Sequence, residues 1–366
     1  MKVSKIPGLG RFGVFIDDVD FDTITNEEWM QIGQLHLTSL VTVLRNVNLS
    51  VEKYNAMMHQ WGTSRFNHAA KVCKKYSSTM SEMLAKVGAG NIAEFDTDDA
   101  KWLQNVLNVM LNENDRTFPI MKVTGKKNER GEPLGMFAEG ELLWHSNESG
   151  MLTFTPGVSL LAKEGMSGSA TGFMTTTDWY ERQSNSFRSE LDEMVILHKY
   201  TPGKITPGLR DDQDLLVYKN QCPVDNNPIP LVIKSPGGIT GLHYSVNTIN
   251  QVQGMTMAES EKFFEKLNRE LFVDEFIYDH WYQNDNDLML FDNSITLHRR
   301  LGGNVNRMCY RIQYDYSRLQ TEPYIPYRQP RYVKQYKNEI NDIVKNLLLT
   351  DFKLPKRTFT DFVPFL

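Results

Sequence analysis

The residue types best able to perform chemistry lie in two separated segments of the 366-residue chain. The first is Trp144-His145-Ser146-Asn147, and the second contains Asp292-Asn293 followed by His298. Two histidines and one carboxylate form the ligand set of non-haem Fe(II) sites, which leave the opposite face of the metal open. Here the residue that would complete such a set is Asn147. The pattern therefore indicates an iron site with an altered third ligand.

His145 and Asn147 are separated by one residue. Side chains at positions i and i+2 of a β-strand point to the same face, so both groups could converge on one ion. Glu148 would then point to the opposite face and reach the ion only through a β-bulge. A carboxamide oxygen can ligate iron but brings no negative charge, so we expect weak metal binding without an anionic cosubstrate.

Arg307 and Arg311 form a second candidate group. They lie four residues apart in a segment of alternating polarity, so on a strand they share one face, with Cα atoms about 13 Å apart. A buried guanidinium must be matched by an anion, and its planar fork suits a carboxylate. One arginine would clamp a dicarboxylate cosubstrate, and the other would meet the substrate or a protein carboxylate. The alternative is that both are exposed on an outer face.

Arg299 and Arg300 directly follow His298. They could extend a basic rim around the site and favour an anionic substrate. Exposed charges beside a site are, however, more often solvated surface, and this is the interpretation we expect for them.

The elements that would position these residues are short strands separated by turns. Capping boxes at Thr25 and Thr256 begin helices, residues 40–44 and 288–291 have the character of buried strands, and residues 307–315 alternate. This predicts a β-rich α+β fold, a double-stranded β-helix (jelly-roll, cupin-like) barrel wrapped by helices, and disfavours a parallel βαβ sheet. We expect one domain over residues 1–366, with a helical insertion at 65–113 and a C-terminal extension at 317–366.

The composition limits the function classes. The chain is 40% hydrophobic and 11% aromatic, which is enough for a real core, and its formal net charge of -5 predicts no nucleic-acid partner. Three cysteines, Cys73, Cys222 and Cys309, have no metal-ligand spacing and favour reduced thiols. We find no signal-peptide pattern and no apolar run of about 18 residues. We expect a cytoplasmic protein with a small-molecule substrate, no membrane partner, and homo-oligomers as an open option.

Beyond these patterns, the chain resembles the taurine dioxygenase (TauD/TfdA-like) family of Fe(II)/2-oxoglutarate-dependent oxygenases over roughly residues 8–316. The segment 144–147 stands where the family has Trp-His-x-Asp, and residues 167–173 are similar to its Gly-Gly-Asp-Thr-x-Trp/Phe segment. Residues 286–298 resemble the segment that carries the distal histidine. Residues 307–311 match the paired arginines.

The resemblance implies a site and its cofactors. It makes His145, Asn147 and His298 the ligands of Fe(II), with 2-oxoglutarate and O2 as cosubstrates. Thr171 and Arg307 would bind the distal C5 carboxylate of 2-oxoglutarate, and Arg311 matches a position that contacts an anionic substrate group in some members. The chain departs from the family pattern at Asn147, at Ser294, where many relatives have Arg, and in a slightly short interval between His298 and Arg307.

Three hypotheses follow for the altered ligand. The first is a working dioxygenase that couples decarboxylation of 2-oxoglutarate to succinate with hydroxylation of a C–H bond. The second is a noncatalytic or altered-metal binding protein on the same scaffold, which the fold alone does not exclude. The third is halogenase-like chemistry, in which a missing carboxylate frees a position for halide, although Asn is bulkier than the small residue of such relatives.

Overall fold

The structure is a computed structural model. It describes residues 1–62, 72–104 and 121–129 with gaps, 141–151, 154–199, 225–303, 305–320 and 324–335. The helices are α1 (Asn26–Ser39), α2 (Val51–His59), α3 (Met80–Gly88), α4 (Thr177–Glu181), α5 (Asn185–Glu193), α6 (Met257–Leu271) and α7 (Pro330–Gln335), with 3-10 turns at Ile92–Glu94 and Asp274–Phe276. The strands are β1 (Lys2–Lys5), β2 (Val14–Asp17), β3 (Val41–Leu44), β4 (Met121–Thr124), β5 (Leu142–His145), β6 (Gly157–Glu164), β7 (Ala170–Thr175), β8 (Val195–Lys199), β9 (Asp225–Pro230), β10 (Val232–Lys234), β11 (Thr240–Leu242), β12 (Ile249–Val252), β13 (Ile277–Trp281), β14 (Leu288–Asp292), β15 (Thr296–Arg300) and β16 (Met308–Tyr314).

Two sheets position the candidate residues. The larger sheet has the order β1-β2-β3-β14-β6-β16-β4, and the smaller has the order β13-β7-β15-β5. A three-stranded sheet, β12-β8-β9, and the pair β10-β11 complete the described strands. All described pairs are antiparallel except β2 with β3. The β-rich α+β class is confirmed, and the expectation that a parallel βαβ sheet fits poorly is correct.

Strand alternation on β14 separates two hydrophobic layers. Leu288 and Leu290 pack in a cluster with residues of α1 and α2, on the outer face of the larger sheet. Met289 and Phe291 belong to another cluster, which also contains Phe173 of the smaller sheet. Because successive side chains of a strand point to opposite faces, one strand can serve both layers. The candidate site lies in the second layer, between the two sheets.

Capping boxes in the sequence correctly predicted where two of the helices begin. Thr25 and Thr256 each form a reciprocal capping box, with Glu28 and Glu259 respectively, at the start of α1 and α6. Each box satisfies two backbone donors that a helix N-terminus otherwise leaves unpaired. The buried strand expected at residues 40–44 is β3, and all four of its residues are buried.

The insertion and the extension are described only in part. Within residues 65–113 the structure describes α3 and the 3-10 turn at Ile92–Glu94, consistent with helical character there. Within residues 317–366 it describes α7, while the aromatic tail from 351 onward lies outside the described residues. In the described part of the chain, no helix has both the length and the apolar character needed to cross a bilayer.

Candidate active site

Two histidines face each other across neighbouring strands of the smaller sheet. His145, the last residue of β5, is the direct antiparallel partner of His298 on β15. Their ring centroids are 4.1 Å apart, with 46° between the ring planes. Residues 145 and 298 are far apart in the chain, and the sheet register alone brings the two imidazoles together. They form a pair of nitrogen donors suited to one metal ion.

The local contacts of His145 fix its tautomer. Its Nδ1 lies 2.7 Å from the carbonyl oxygen of Leu143, which can only accept a hydrogen bond, so Nδ1 carries the proton. The lone pair is therefore on Nε2, as in metal-binding histidines whose other nitrogen donates to a carbonyl group. His298 is buried, and among the described residues its Nδ1 has no hydrogen-bond partner.

Both imidazoles are neutral near pH 7. Burial lowers the pKa of His145 to about 4, and the charges of Arg311 and Arg300 add to this effect. Burial, the neighbouring His145 and the charge of Arg311 place the pKa of His298 well below its ordinary value. Only the neutral ring offers a lone pair to a metal, so the site is prepared for ligation without losing a proton.

Asn147 is not where a regular strand would place it. The prediction that Asn147 shares a strand face with His145 is wrong, because β5 ends at His145 and Asn147 lies in the turn that follows. Asn293 holds this turn: its Oδ1 accepts from the backbone N–H of Asn147 at 2.8 Å. Its Nδ2 donates to the carbonyl oxygens of Asn147 and Thr155, both at 2.9 Å. Asn293 is therefore a positioning residue whose role the sequence pattern did not reveal.

The side chain of Asn147 is buried, and its Nδ2 has no hydrogen-bond partner among the described residues. The oxygen and nitrogen of a carboxamide are assigned from surrounding hydrogen bonds. A buried, unsatisfied amide end is costly. If the carboxamide is turned over, so that its oxygen takes the place of Nδ2, a metal ion ligated through that oxygen would remove the cost.

Glu148 has a different task. It adopts a left-handed backbone conformation with φ 60° in the same turn. Its carboxylate accepts from the backbone N–H of Thr155 at 2.6 Å and from Nε2 of Gln313 at 3.0 Å. The nearest carboxylate in sequence is thus committed to the turn, which supports the expectation that Glu148 does not replace the missing Asp.

A cavity between the two sheets connects the histidines to a cationic end. Among its lining residues are His145, His298, Thr171, Arg307 and Arg311. The structure thus brings together five of the six predicted site residues, while Asn147 is outside the described lining. Arg307 is 3% exposed, so the alternative that the arginines lie on an outer face is wrong.

Thr171 and Tyr282 contribute hydroxyl groups to the end of the cavity that Arg307 lines. The Thr171 hydroxyl lies 3.0 Å from the hydroxyl of Tyr282, which also donates to the sulfur of Met289 at 3.2 Å. Burial raises the pKa of Tyr282 well above its ordinary value, so the phenol stays protonated. Burial also lowers the pKa of the neighbouring Arg307. An anion bound here would meet hydroxyl and guanidinium donors in a low-dielectric site, where such hydrogen bonds are strong.

The sequence model of the taurine catabolism dioxygenase TauD, TfdA family matches residues 3–313. The chain belongs to the TauD/TfdA family. Members of this family are 2-oxoglutarate-dependent dioxygenases. No curated protein matches the chain.

Two solved structures have similar folds. AAD-2 in complex with Mn(II) and N-oxalylglycine is 17% identical with a TM-score of 0.59, covering 88% of this chain and 100% of that one. A taurine dioxygenase from Burkholderia xenovorans is 18% identical with a TM-score of 0.56, covering 88% of this chain and 92% of its own. At these identities the likeness shows the fold alone.

The donor set fits the iron of a TauD/TfdA centre in part. His145 and His298 supply two neutral, paired imidazoles, as that metal requires. In the described part of the chain, no cluster of three His, Cys, Asp or Glu residues is placed to hold a metal ion. Asn147, two residues after His145, is the candidate for a third protein ligand; its carboxamide is neutral, so negative charge would have to come from a bound anion.

Arg300 is a site residue that the sequence interpretation missed. The expectation that Arg299 and Arg300 form a solvated rim is wrong for Arg300, which is 8% exposed and lines the cavity. Burial lowers its pKa to about 9, with the charge of Arg307 as the next cause. The signal was present in the sequence, because Arg300 lies two residues after His298 and so shares its face of β15.

Proposed function

We propose that this TauD/TfdA protein is an Fe(II)/2-oxoglutarate-dependent dioxygenase. It would couple decarboxylation of 2-oxoglutarate to succinate with hydroxylation of an unidentified small substrate that carries an anionic group. The observation that carries the proposal is the shared cavity, which has two neutral histidines, His145 and His298, and an anion-binding end at Thr171 and Arg307. A metal and a dicarboxylate placed in this cavity would each meet the groups they need.

The residues divide the work of binding. His145, His298 and the Asn147 carboxamide would hold Fe(II), and Thr171 with Arg307 would hold the distal carboxylate of 2-oxoglutarate. When bound, Fe(II) supplies the activation of O2. The protein's own contribution is to orient the cosubstrate and to surround it with a dry cavity, since most of the lining groups are buried.

Arg311 would bind the substrate. It lies on β16 and lines the cavity, and its charge contributes to the lowered pKa of both His145 and His298, which supports a position near the histidine pair. A guanidinium there would bind the anionic group of a substrate and so orient the substrate with a C–H bond toward the metal. This supports an anionic substrate without selecting among carboxylates, sulfonates and phosphates.

A second candidate, a noncatalytic 2-oxoglutarate-binding protein, is favoured by one observation. The third-ligand position holds an uncharged side chain, and the adjacent carboxylate of Glu148 is bound to Thr155 and Gln313. The anion-binding end would remain functional in such a protein, while the metal would be weakly held.

Succinate formation separates the two candidates. Purified protein is incubated with Fe(II), ascorbate, O2 and 2-oxoglutarate, and succinate is quantified against a His298→Ala variant. We expect metal-dependent succinate release from the wild type, slow in the absence of the natural substrate, and none above background from the variant. Tight binding of 2-oxoglutarate and metal without any succinate would overturn the enzymatic proposal in favour of the binding protein.

A further inference from the structure

A second arginine shares the anion-binding end of the cavity with Arg307. Arg300 is the direct cross-strand partner of Thr171 in the antiparallel pairing of β15 with β7. Directly paired residues of an antiparallel sheet have Cβ atoms about 5 Å apart on one face. Arg300 therefore reaches the same space as the Thr171 hydroxyl. Arg307 lines that space from the residue directly before β16, a strand of the larger sheet.

The neighbouring arginine shows what an ordinary charged residue does on this strand. Arg299 also contributes to the cavity lining, but it is about a quarter exposed, forms a salt bridge with Asp279 at 2.8 Å, and its guanidinium lies 4.4 Å from the centre of a Trp144 ring. Arg300, one residue later, is turned to the other face and buried between the sheets. Arg300 thus presents its charge on the face of β15 that carries His298 and faces the cavity, whereas the guanidinium of Arg299 is bound to Asp279.

We propose that Arg300 is a second guanidinium for the distal carboxylate of 2-oxoglutarate, acting with Arg307 and Thr171. The inference rests on the proposed function and deepens it. A carboxylate has about four lone-pair directions, so two guanidinium forks and one hydroxyl can bind it together. Arg307 would approach from the larger sheet and Arg300 from the smaller one, with the carboxylate between them.

This arrangement has a consequence for cosubstrate choice. Two guanidiniums at one end of a buried cavity strongly favour a dianionic 2-oxo acid over one with an apolar tail, because the tail would leave both cations facing a methyl group. We therefore assign to Arg300 part of the selection for 2-oxoglutarate over 2-oxovalerate, which has the same number of carbons and a methyl group in place of the distal carboxylate.

The test measures binding of both 2-oxo acids by calorimetry to Mn(II)-loaded protein. The variants are Arg300→Gln, Arg300→Lys and the matched control Arg299→Gln on the same strand. For Arg300→Gln we expect 2-oxoglutarate affinity to fall at least about tenfold, because the variant loses hydrogen bonds between two charged groups. Affinity for 2-oxovalerate should stay within about twofold. Arg300→Lys should lie between wild type and Gln, because lysine keeps the charge and loses the fork, and Arg299→Gln should keep the wild-type ratio.

Equal loss of both ligands in Arg300→Gln would show a structural role and overturn the inference, as would an unchanged preference for 2-oxoglutarate. In either case wild-type binding of 2-oxoglutarate would leave the proposed function intact. Failure of the wild type to bind either 2-oxo acid would overturn the proposed function, and this inference with it.

Discussion

Asn293 holds Asn147 through both ends of its carboxamide, accepting from the backbone N–H at 2.8 Å and donating to the carbonyl oxygen at 2.9 Å. The two residues are 146 positions apart in the chain. The contact joins the turn after β5 to the turn after β14 and sets the position of Asn147 relative to the histidine pair.

Replacing Asn293 should weaken the fold measurably. Asn293→Ala removes three buried hydrogen bonds, two to Asn147 and one to Thr155. At about 1 kcal/mol each, the free energy of unfolding should fall by about 3 kcal/mol. Urea denaturation checks this, with Asn250→Ala as control because its side chain makes one exposed contact at 3.4 Å. A loss below about 1 kcal/mol would show that the hydrogen bonds of Asn293 do not stabilise the turn.

A carboxylate at position 147 should raise the affinity for a metal ion. In the absence of 2-oxoglutarate, we expect Asn147→Asp to bind Mn(II) at least about tenfold more tightly than the wild type, because an anionic ligand in a partly desolvated site attracts the cation strongly. Glu148→Gln is the control for charge alone. Its carboxylate is bound to Thr155 and Gln313, so Mn(II) affinity should stay within about twofold. Equal affinities of Asn147→Asp and wild type would show that residue 147 is not a ligand.

The hydroxyl of Tyr282 should matter for cosubstrate binding. It lies 3.0 Å from the Thr171 hydroxyl, and Tyr282→Phe would leave that hydroxyl free to rotate away from the carboxylate. We expect 2-oxoglutarate affinity to fall about three- to tenfold, the effect of about one hydrogen bond. Tyr278→Phe makes the same change at a tyrosine whose partner is His280, and it should leave the affinity unchanged. Equal effects in the two variants would refute the role of Tyr282.

Asp292 should make stability depend on pH. Burial raises its pKa to about 7, although the backbone N–H groups of Ile295 and Ser294 oppose the shift. A raised folded-state pKa means that the native state holds the proton more tightly than the unfolded chain does. The stabilisation from Asp292 is therefore complete below about pH 4, is lost as pH rises, and is gone above about pH 7, at up to about 1.4 kcal/mol per pH unit. Chemical denaturation of wild type and Asp292→Asn from pH 5 to 7.5 should show the difference between them narrowing or reversing with rising pH, whereas a constant difference would contradict it.

Much of the fold and part of the site followed from local patterns. Period-two alternation predicted that Arg307 and Arg311 share one face, and the capping boxes at Thr25 and Thr256 marked two helices. These signals are local, because a strand or a helix start is encoded within a few residues.

Contacts between distant segments of the chain could not be predicted from the sequence. The strand could not be predicted to end at His145, because the turn that follows depends on Asn293 from a distant segment. The alternation rule did apply to Arg300, two residues after His298. We expected a solvated rim because charged residues are usually exposed, and that general tendency gave the wrong answer at a buried cation.

The central claim is that His145 and His298 hold a metal beside a bound 2-oxo acid, and a Mn(II) titration in saturating 2-oxoglutarate tests it most directly. Wild type is compared with His298→Ala. The control is His198→Ala, because His198 is likewise a buried histidine but lies outside the cavity lining, and its Nδ1 is hydrogen-bonded to Thr248 at 3.0 Å. We predict one Mn(II) per chain in the wild type and in His198→Ala, and at least about tenfold weaker binding in His298→Ala. Wild-type affinity in His298→Ala would contradict the account.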